Sequence, residues 1–381
     1  MAEDDSASPP PMEQPVALDA ERARRTPRRV WALVLVAHLG LLGYLLLVRS
    51  FLVEAPDDLP ELLRQTATWD SAHYIAIARH GYSAFNLAVL FPAYPLATYL
   101  VSFLLRDLYL SAYVVSFVAH ALGAALLYRL TRLDQSTAVA WRTVVFSLIF
   151  PTAFVAVVPY SESLFLCTVL GAFYFFRSRR YALAGAMALV AASTRLPGLA
   201  LTPALLSELL LSKRPARVSV GAWLAALTPC LGVLIFLGIN WYFYGGPFYF
   251  MAVQRFHFGR QVAWPHVGAV GAWFSLDRAV PECLTVGVNE LLGAALAWAV
   301  TVYAFFRLRA SYALYCGLSA ALFTFQSFWL CNLRYAYVLF PLYILMARVS
   351  RRSWAYYAMT ATSLVWLAIL AMQFARGYWA S

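Results

Sequence analysis

Charged side chains are scarce in this chain, and lysine is almost missing. Only 12% of its 381 residues are Asp, Glu, Lys or Arg, about half the ~25% of a soluble globular chain, and Lys213 is the single lysine. So little charge cannot cover a water-facing surface. With 62% hydrophobic residues, against about 45–50% in soluble domains, the composition is that of a polytopic membrane protein. Sustained alternation of apolar and polar residues is also lacking, which argues against a β-barrel. The apolar runs are continuous, as all-α spans must be when every backbone group has to bond internally in lipid.

Further absences narrow the function. The five cysteines (Cys167, Cys230, Cys283, Cys316 and Cys331) form no C-x-x-C pair, so neither a zinc site nor a disulfide framework is expected. They read as small packing residues, with one outer-face bridge, Cys283 to Cys331, left open. No G-x-x-x-x-G-K-[ST] is present, which argues against ATP drive. No G-x-S-x-G or H-E-x-x-H is present, which argues against serine hydrolases and zinc proteases. No internal repeat suggests an inverted-repeat transporter, and there is no soluble α/β stretch to bind a sugar nucleotide. The net charge of +11 sits in short clusters between apolar spans, as positive-inside flanks do. It therefore points to a membrane, not to nucleic acid.

Residues 1–29 read as a disordered tail, rich in Asp, Glu, Ser and Pro and ending in Arg22, Arg24, Arg25, Arg28 and Arg29. That basic end predicts a cytoplasmic N-terminus before an uncleaved first helix from Val30 to about Val53. Residues 30–376 read as one transmembrane domain, followed by a short tail at 377–381. Residues 54–85 form a first outer loop in which Glu61 to Ala78 has the spacing of an interfacial amphipathic helix. Ten further spans are expected near 108–130, 138–158, 161–177, 181–194, 197–211, 219–243, 284–306, 310–330, 334–348 and 353–375, with a second outer loop at 244–283. A full crossing at 86–105 would invert everything downstream. Pro92 and Pro95 allow a broken or re-entrant segment there instead, which is tolerated where it lines a cavity.

An ionisable residue in a membrane segment costs about 2.5–3.5 kcal/mol and suggests function. In this topology Asp70, His73, Glu162, Arg195, His257 and Arg334 all fall on the outer side, at helix ends or in loops. Asp70 follows Trp69, a pairing that offers a sugar ring a flat apolar face and its hydroxyl a base. Burial beside the indole predicts a raised carboxyl pKa. His73 lies three residues on, on the same helical face, either to orient the acid or as an ordinary interfacial residue. Glu162 either joins Ser161 in capping a helix or supplies a second carboxylate for a hydroxyl or a divalent cation. Arg195 and Arg334 interrupt apolar stretches. Each is suited either to grip phosphate or to snorkel or pair internally with Glu162 or Asp70. His257 belongs to an aromatic and basic mixture suited to sugars and headgroups, with no metal-ligand spacing.

Trp69-Asp70-x-x-His73-Tyr74 with Ile77-Ala78 and Gly81-Tyr82, then Phe91-Pro92-x-Tyr94-Pro95, resembles the first-loop signature of the PIG-V family of mannosyltransferases. Tyr160-Ser161-Glu162-Ser163-Leu164-Phe165, Thr194-Arg195-Leu196-Pro197-Gly198 and Arg334-Tyr335 with Phe340-Pro341 are similar to later family motifs, in the same order. The resemblance covers residues 30–350. It implies a GT-C bundle of roughly 11–12 transmembrane helices, with Asp70 as catalytic base in the first outer loop. Trp69, His73, Tyr74, Tyr82, Glu162, Arg195, His257, Arg334 and Tyr335 would be substrate-binding residues. The implied activity is inverting transfer of a sugar, mannose in the family, from a polyprenyl-phosphate donor to a lipid or glycan acceptor at the outer face of a cell membrane, with no organic cofactor. The competing reading is a transporter or lipid flippase without covalent chemistry.

Overall fold

The structure is a computed structural model that describes residues 26–52, 58–211, 219–276 and 281–380; of residues 52 and 281–285 it describes the backbone alone. Among the described residues all regular structure is helical, apart from one isolated bridge between Val262 and Gln326. Helix α1 (Arg28–Leu52) leads into the first loop, which carries α2 (Leu59–Thr66), α3 (Asp70–His80) and a 3-10 turn at Phe85–Val89. Then follow α4 (Ala93–Leu105), α5 (Leu108–Arg132), α6 (Thr137–Leu148), a 3-10 turn at Ala153–Ala156, α7 (Glu162–Arg177) and α8 (Tyr181–Ala192). A third 3-10 turn, Leu196–Ala200, precedes α9 (Leu201–Leu210), α10 (Val220–Tyr244), α11 (Tyr249–Phe256) and α12 (Pro265–Ser275). The chain ends with α13 (Pro281–Arg307), α14 (Ala310–Thr324), α15 (Asn332–Tyr337), α16 (Pro341–Val349) and α17 (Ser353–Ala375).

Five of these are long and apolar enough to cross a membrane: Arg28–Phe51, Leu108–Arg132, Val220–Tyr244, Val286–Arg307 and Ser353–Ala375. At 22–25 residues they run about 33–37 Å, enough for a hydrocarbon core of about 30 Å. The all-α polytopic architecture expected from the composition is therefore present. Large apolar side chains such as Phe51, Leu104, Val220, Phe305 and Phe306 point outward, as a lipid-facing surface requires. Inside, Phe146, Phe150, Phe165, Phe173, Tyr315 and Phe340 belong to one large buried cluster. Helix α8 packs between α7 and α10, α7 lies against α5, and α13 packs on both α14 and α15.

Proline and local capping explain where elements depart from the expected spans. Residues 138–158 hold a helix only to Leu148, because Pro151 follows and a 3-10 turn takes over. Residues 334–348 divide at Pro341, which begins α16. The helix expected at 310–330 ends at Thr324. Residues 86–105 contain a 3-10 turn and then the 13-residue α4, capped by Pro92; about 20 Å of helix is too short for a straight crossing. The single helix expected over Glu61–Ala78 is two helices, parted at Ala67–Trp69. The second loop, 244–283, carries α11 and α12. Residues 1–25 of the N-terminal tail, residues 53–57 of the first loop, the basic cluster of Lys213, Arg214 and Arg217, and the side chain of Cys283 with its bridge all lie outside the described residues.

Candidate functional site

Four motif stretches, far apart in sequence, deliver four charged side chains to one place. The first comes from a sharp break in the first loop. The Ala67 N–H closes α2 on Leu63 and Arg64, and Trp69 then takes φ +55°, a conformation costly for a bulky residue. That turn starts α3 at Asp70, so the carboxylate sits in the first turn of a helix, where the N-terminal dipole favours negative charge. Glu162 likewise opens α7, directly after Ser161.

Arg195 is extended between the end of α8 and the turn at Leu196–Ala200. Gly198 makes that turn possible: a Cβ there would lie 2.5 Å from the backbone of Ala192. The Thr-Arg-Leu-Pro-Gly stretch thus folds tightly back on α8 with the arginine at its bend. Arg334 rides on the short α15, whose start is clamped from α13. Glu290 accepts the Cys331 N–H at 2.5 Å and the Asn332 N–H at 2.8 Å. These are helix-start donors that lack an intrahelical partner.

The four charges are joined in series into one circuit. Arg334 Nη2 donates to Asp70 Oδ2 at 2.6 Å, and Arg334 Nε donates to Glu162 Oε1 at 2.5 Å. Arg195 Nη1 donates to the same Glu162 oxygen at 2.5 Å and to Ser161 Oγ at 3.2 Å. Tyr74 donates its hydroxyl to Ser161 Oγ at 2.8 Å. Two carboxylates and two guanidinium groups balance to zero, which makes their joint burial tolerable. Aromatic faces cover the cations: Arg334 lies 4.4 Å from the Tyr160 ring centroid and Arg195 5.2 Å from that of Tyr335. Arg260 donates to the Tyr335 hydroxyl at 3.5 Å and to the Leu330 carbonyl at 3.1 Å.

Access singles out one member. The Glu162 side chain is 0% exposed, Arg334 3% and Arg195 14%, whereas Asp70 is 28% exposed. Asp70 is therefore the more accessible of the two carboxylates. Its acidity differs from the value its tryptophan neighbour suggested. Burial does push the carboxyl up, but the charge and hydrogen bond of Arg334, then the charges of Arg195 and His73, outweigh it and hold Asp70 below its ordinary value. Glu162 Oε2 is buried without a hydrogen-bond partner.

The other expected residues divide. Tyr74 and Tyr335 join the circuit directly. Trp69 and His73 flank Asp70: Trp69 is 40% exposed and meets Trp379 edge to face at 4.9 Å, and His73 is half-buried. Tyr82 and His257 are engaged elsewhere. The Tyr82 hydroxyl donates to the Leu90 carbonyl while its ring packs on Phe243 and Tyr244; His257 is exposed against Phe85. Sequence reasoning missed Ser161 as an acceptor, Tyr160 as a cation platform and Glu290 as the clamp. Glu290 carried a usable signal, being a lone acid in a long apolar run. Among the described residues no three His, Cys, Asp or Glu side chains group as a metal site, and both carboxylates of the circuit face arginines.

No family model matches this chain, and no curated protein matches it. Among solved structures it is similar to an oligosaccharyltransferase of Archaeoglobus fulgidus, tethered there through a disulfide to an acceptor peptide containing the NVT sequon. The similarity has 12% identity and a TM-score of 0.45, and covers 91% of this chain. The chain spans 56% of the length of that protein, and a likeness this distant decides neither fold family nor activity.

Proposed function

We propose that this chain is a membrane glycosyltransferase of the GT-C type. It transfers a sugar, mannose by its PIG-V-like motifs, from a polyprenyl-phosphate donor to a hydroxyl of a lipid or glycan acceptor. The observation that carries this reading is the circuit itself. The motif residues Asp70, Glu162, Arg195 and Arg334, from four stretches, meet as one partly accessible base backed by two buried phosphate-competent cations. A flippase or transporter needs buried arginines too, but it gives no reason for an accessible carboxylate held beside them.

In the proposed reaction the acceptor oxygen attacks the anomeric carbon as its proton passes to Asp70. The bond from that carbon to the phosphate oxygen breaks on the opposite face, so configuration inverts. Arg195 and Arg334 stabilise the negative charge that collects on the departing polyprenyl phosphate. The donor also switches on the base. In the resting circuit Arg334 occupies Asp70 Oδ2 and depresses its basicity. A donor phosphate competes for that guanidinium and returns the carboxylate to the acceptor. The orientation that fits this chemistry has the basic N-terminal segment in the cytoplasm and the circuit at the outer face of a multi-pass cell-membrane protein.

The deciding experiment incubates the purified protein in lipid with radiolabelled polyprenyl-phosphate-mannose and membrane lipid extract, and looks for a new mannosylated product. Product formed by the native chain and lost in Asp70→Asn supports the assignment. Donor movement across the bilayer without product would establish the transporter reading instead.

A further inference from the structure

Helix α7 has a second charged end. Glu162 opens it in the circuit above, and Arg177 closes it fifteen residues later, about 22 Å along the axis. There Arg177 grips Asp134 with two hydrogen bonds, at 2.6 and 2.7 Å, and Arg309 grips Glu208 with two more, at 2.8 and 2.7 Å. Both carboxylates are thus neutralised. Beside them lies a cavity of about 150 Å³, lined on its polar side by Thr131, Asp134, Gln135, Arg307, Arg309 and Tyr312.

Three groups on this polar wall are uncommitted. The Arg307 guanidinium has no ion pair or hydrogen bond among the described residues; only its backbone carbonyl is engaged, by Arg348. The Gln135 side-chain amide likewise has no partner among them. The Thr131 hydroxyl is buried and unbonded, although it lies on a helix. Thr143, Thr168, Thr301 and Thr324 all turn their hydroxyls back to the carbonyl four residues earlier, as helical threonines do. Thr131 does not. The rest of the lining is hydrocarbon, from Leu130, Leu308 and Ile344.

We propose that this cavity binds the phosphate of an anionic phospholipid headgroup. Arg307, Thr131 and Gln135 donate to its oxygens, and the first carbons of the lipid lie against Leu130, Leu308 and Ile344. A cation beside neutral donors selects an anion. The volume lies below the 300–1,000 Å³ usual for drug-sized ligands, so it admits a headgroup and excludes a sugar nucleotide. The apolar wall favours a lipid over free phosphate, and basic pockets between membrane helices are suited to such headgroups. The site is separate from the circuit and stands whether or not the transferase reading does.

The test titrates the full-length protein in detergent with dioleoylphosphatidylglycerol, with dioleoylphosphatidylcholine and with inorganic phosphate, following thermal unfolding by tryptophan fluorescence. Phosphatidylglycerol is expected to raise the midpoint saturably and phosphatidylcholine to leave it unmoved. Arg307→Gln should weaken the apparent affinity roughly ten-fold or more, and Thr131→Val should weaken it less. Arg180→Gln removes one charge from the same end without touching the cavity and should change nothing. A response to inorganic phosphate that Arg307→Gln abolishes would keep the anion site and overturn its assignment to lipid. Equal responses to both lipids, or a phosphatidylglycerol response indifferent to Arg307 and Thr131, would overturn the site itself.

Discussion

Arg334 reaches Asp70 across 264 positions of chain, with Nη2 and Oδ2 2.6 Å apart. The same guanidinium spends its Nε on Glu162, so one side chain reports the state of both carboxylates to the other. Removing the charge from Asp70 while keeping its shape should disturb the packing little, because Asn still offers an oxygen to Arg334. As the proposed base, however, Asn cannot take a proton. Asp70→Asn is expected to lower sugar transfer by about 10²–10⁴-fold, the usual worth of a general base, with the protein still expressed and folded and its thermal midpoint lowered only by the lost charge pairing with Arg334. Transfer at the native rate in a well-folded Asp70→Asn protein would remove Asp70 from the mechanism.

The pH dependence follows from the direction of the Asp70 shift. Its folded value lies below 3.8 because Arg334, Arg195 and His73 together outweigh burial. A depressed carboxyl favours the folded state at pH values above its unfolded pKa and loses that contribution as pH falls through the folded value. Stability owed to this pairing should therefore be complete at neutral pH and vanish only below about pH 4. By the same logic Asp70 contributes no acid limb to kcat/KM between about pH 5 and pH 7. A limb in that window that disappears in Asp70→Asn would show that the carboxyl is raised, not lowered, in the working enzyme.

Glu162 offers a stability test independent of chemistry. It is fully buried and its Oε1 serves both arginines. Glu162→Ala would leave two buried guanidinium groups with one carboxylate between them. Breaking a buried pair from one side typically costs about 3–5 kcal/mol, so a large fall in the thermal midpoint is expected. Glu162→Gln keeps one acceptor oxygen and should fall less. If Glu162→Ala unfolds at the native temperature, the circuit is not the buried network described above.

Much of this charged cluster is legible in the sequence, and the reason is the solvent. In a lipid environment a charged residue is too costly to be idle, so Asp70, Glu162, Arg195 and Arg334 stood out by composition and position alone. What could not be read was their pairing. The sequence left Arg195 and Arg334 open between phosphate and an internal carboxylate, and only the fold brings Glu162 between them. The sign of the Asp70 shift was missed for the same reason: Trp69 is a neighbour in sequence, Arg334 only in space. Tyr82 and His257 sit in polar, aromatic loops, and the fold sets them against Leu90 and Phe85 instead of bonding them to the circuit. Helix ends were misplaced where a proline or a tight backbone approach overrode hydrophobic length, as at Leu148 and at Ala67–Trp69.

The clamp on α15 gives the last test, and it isolates position from chemistry. Gly293 lies one turn after Glu290 on α13, and a Cβ there would stand 2.2 Å from the Leu333 nitrogen and 2.3 Å from the Asn332 carbonyl carbon. No backbone tolerates that approach, so Gly293→Ala must push α15, and Arg334 with it, away from Asp70 and Glu162. In an unhindered helix the same change removes backbone entropy and stabilises by about 0.5–1 kcal/mol. Gly43→Ala, with nothing within 4 Å of the new carbon, is the matched control and should be neutral or slightly stabilising. Gly293→Ala should instead cost about 1–3 kcal/mol, as overpacking does, and reduce transfer at least ten-fold although it touches no substrate. If Gly293→Ala keeps native transfer while Arg334→Gln abolishes it, the arginine acts without the positioning that Glu290 and Gly293 impose, and the donor rather than the fold must set its geometry.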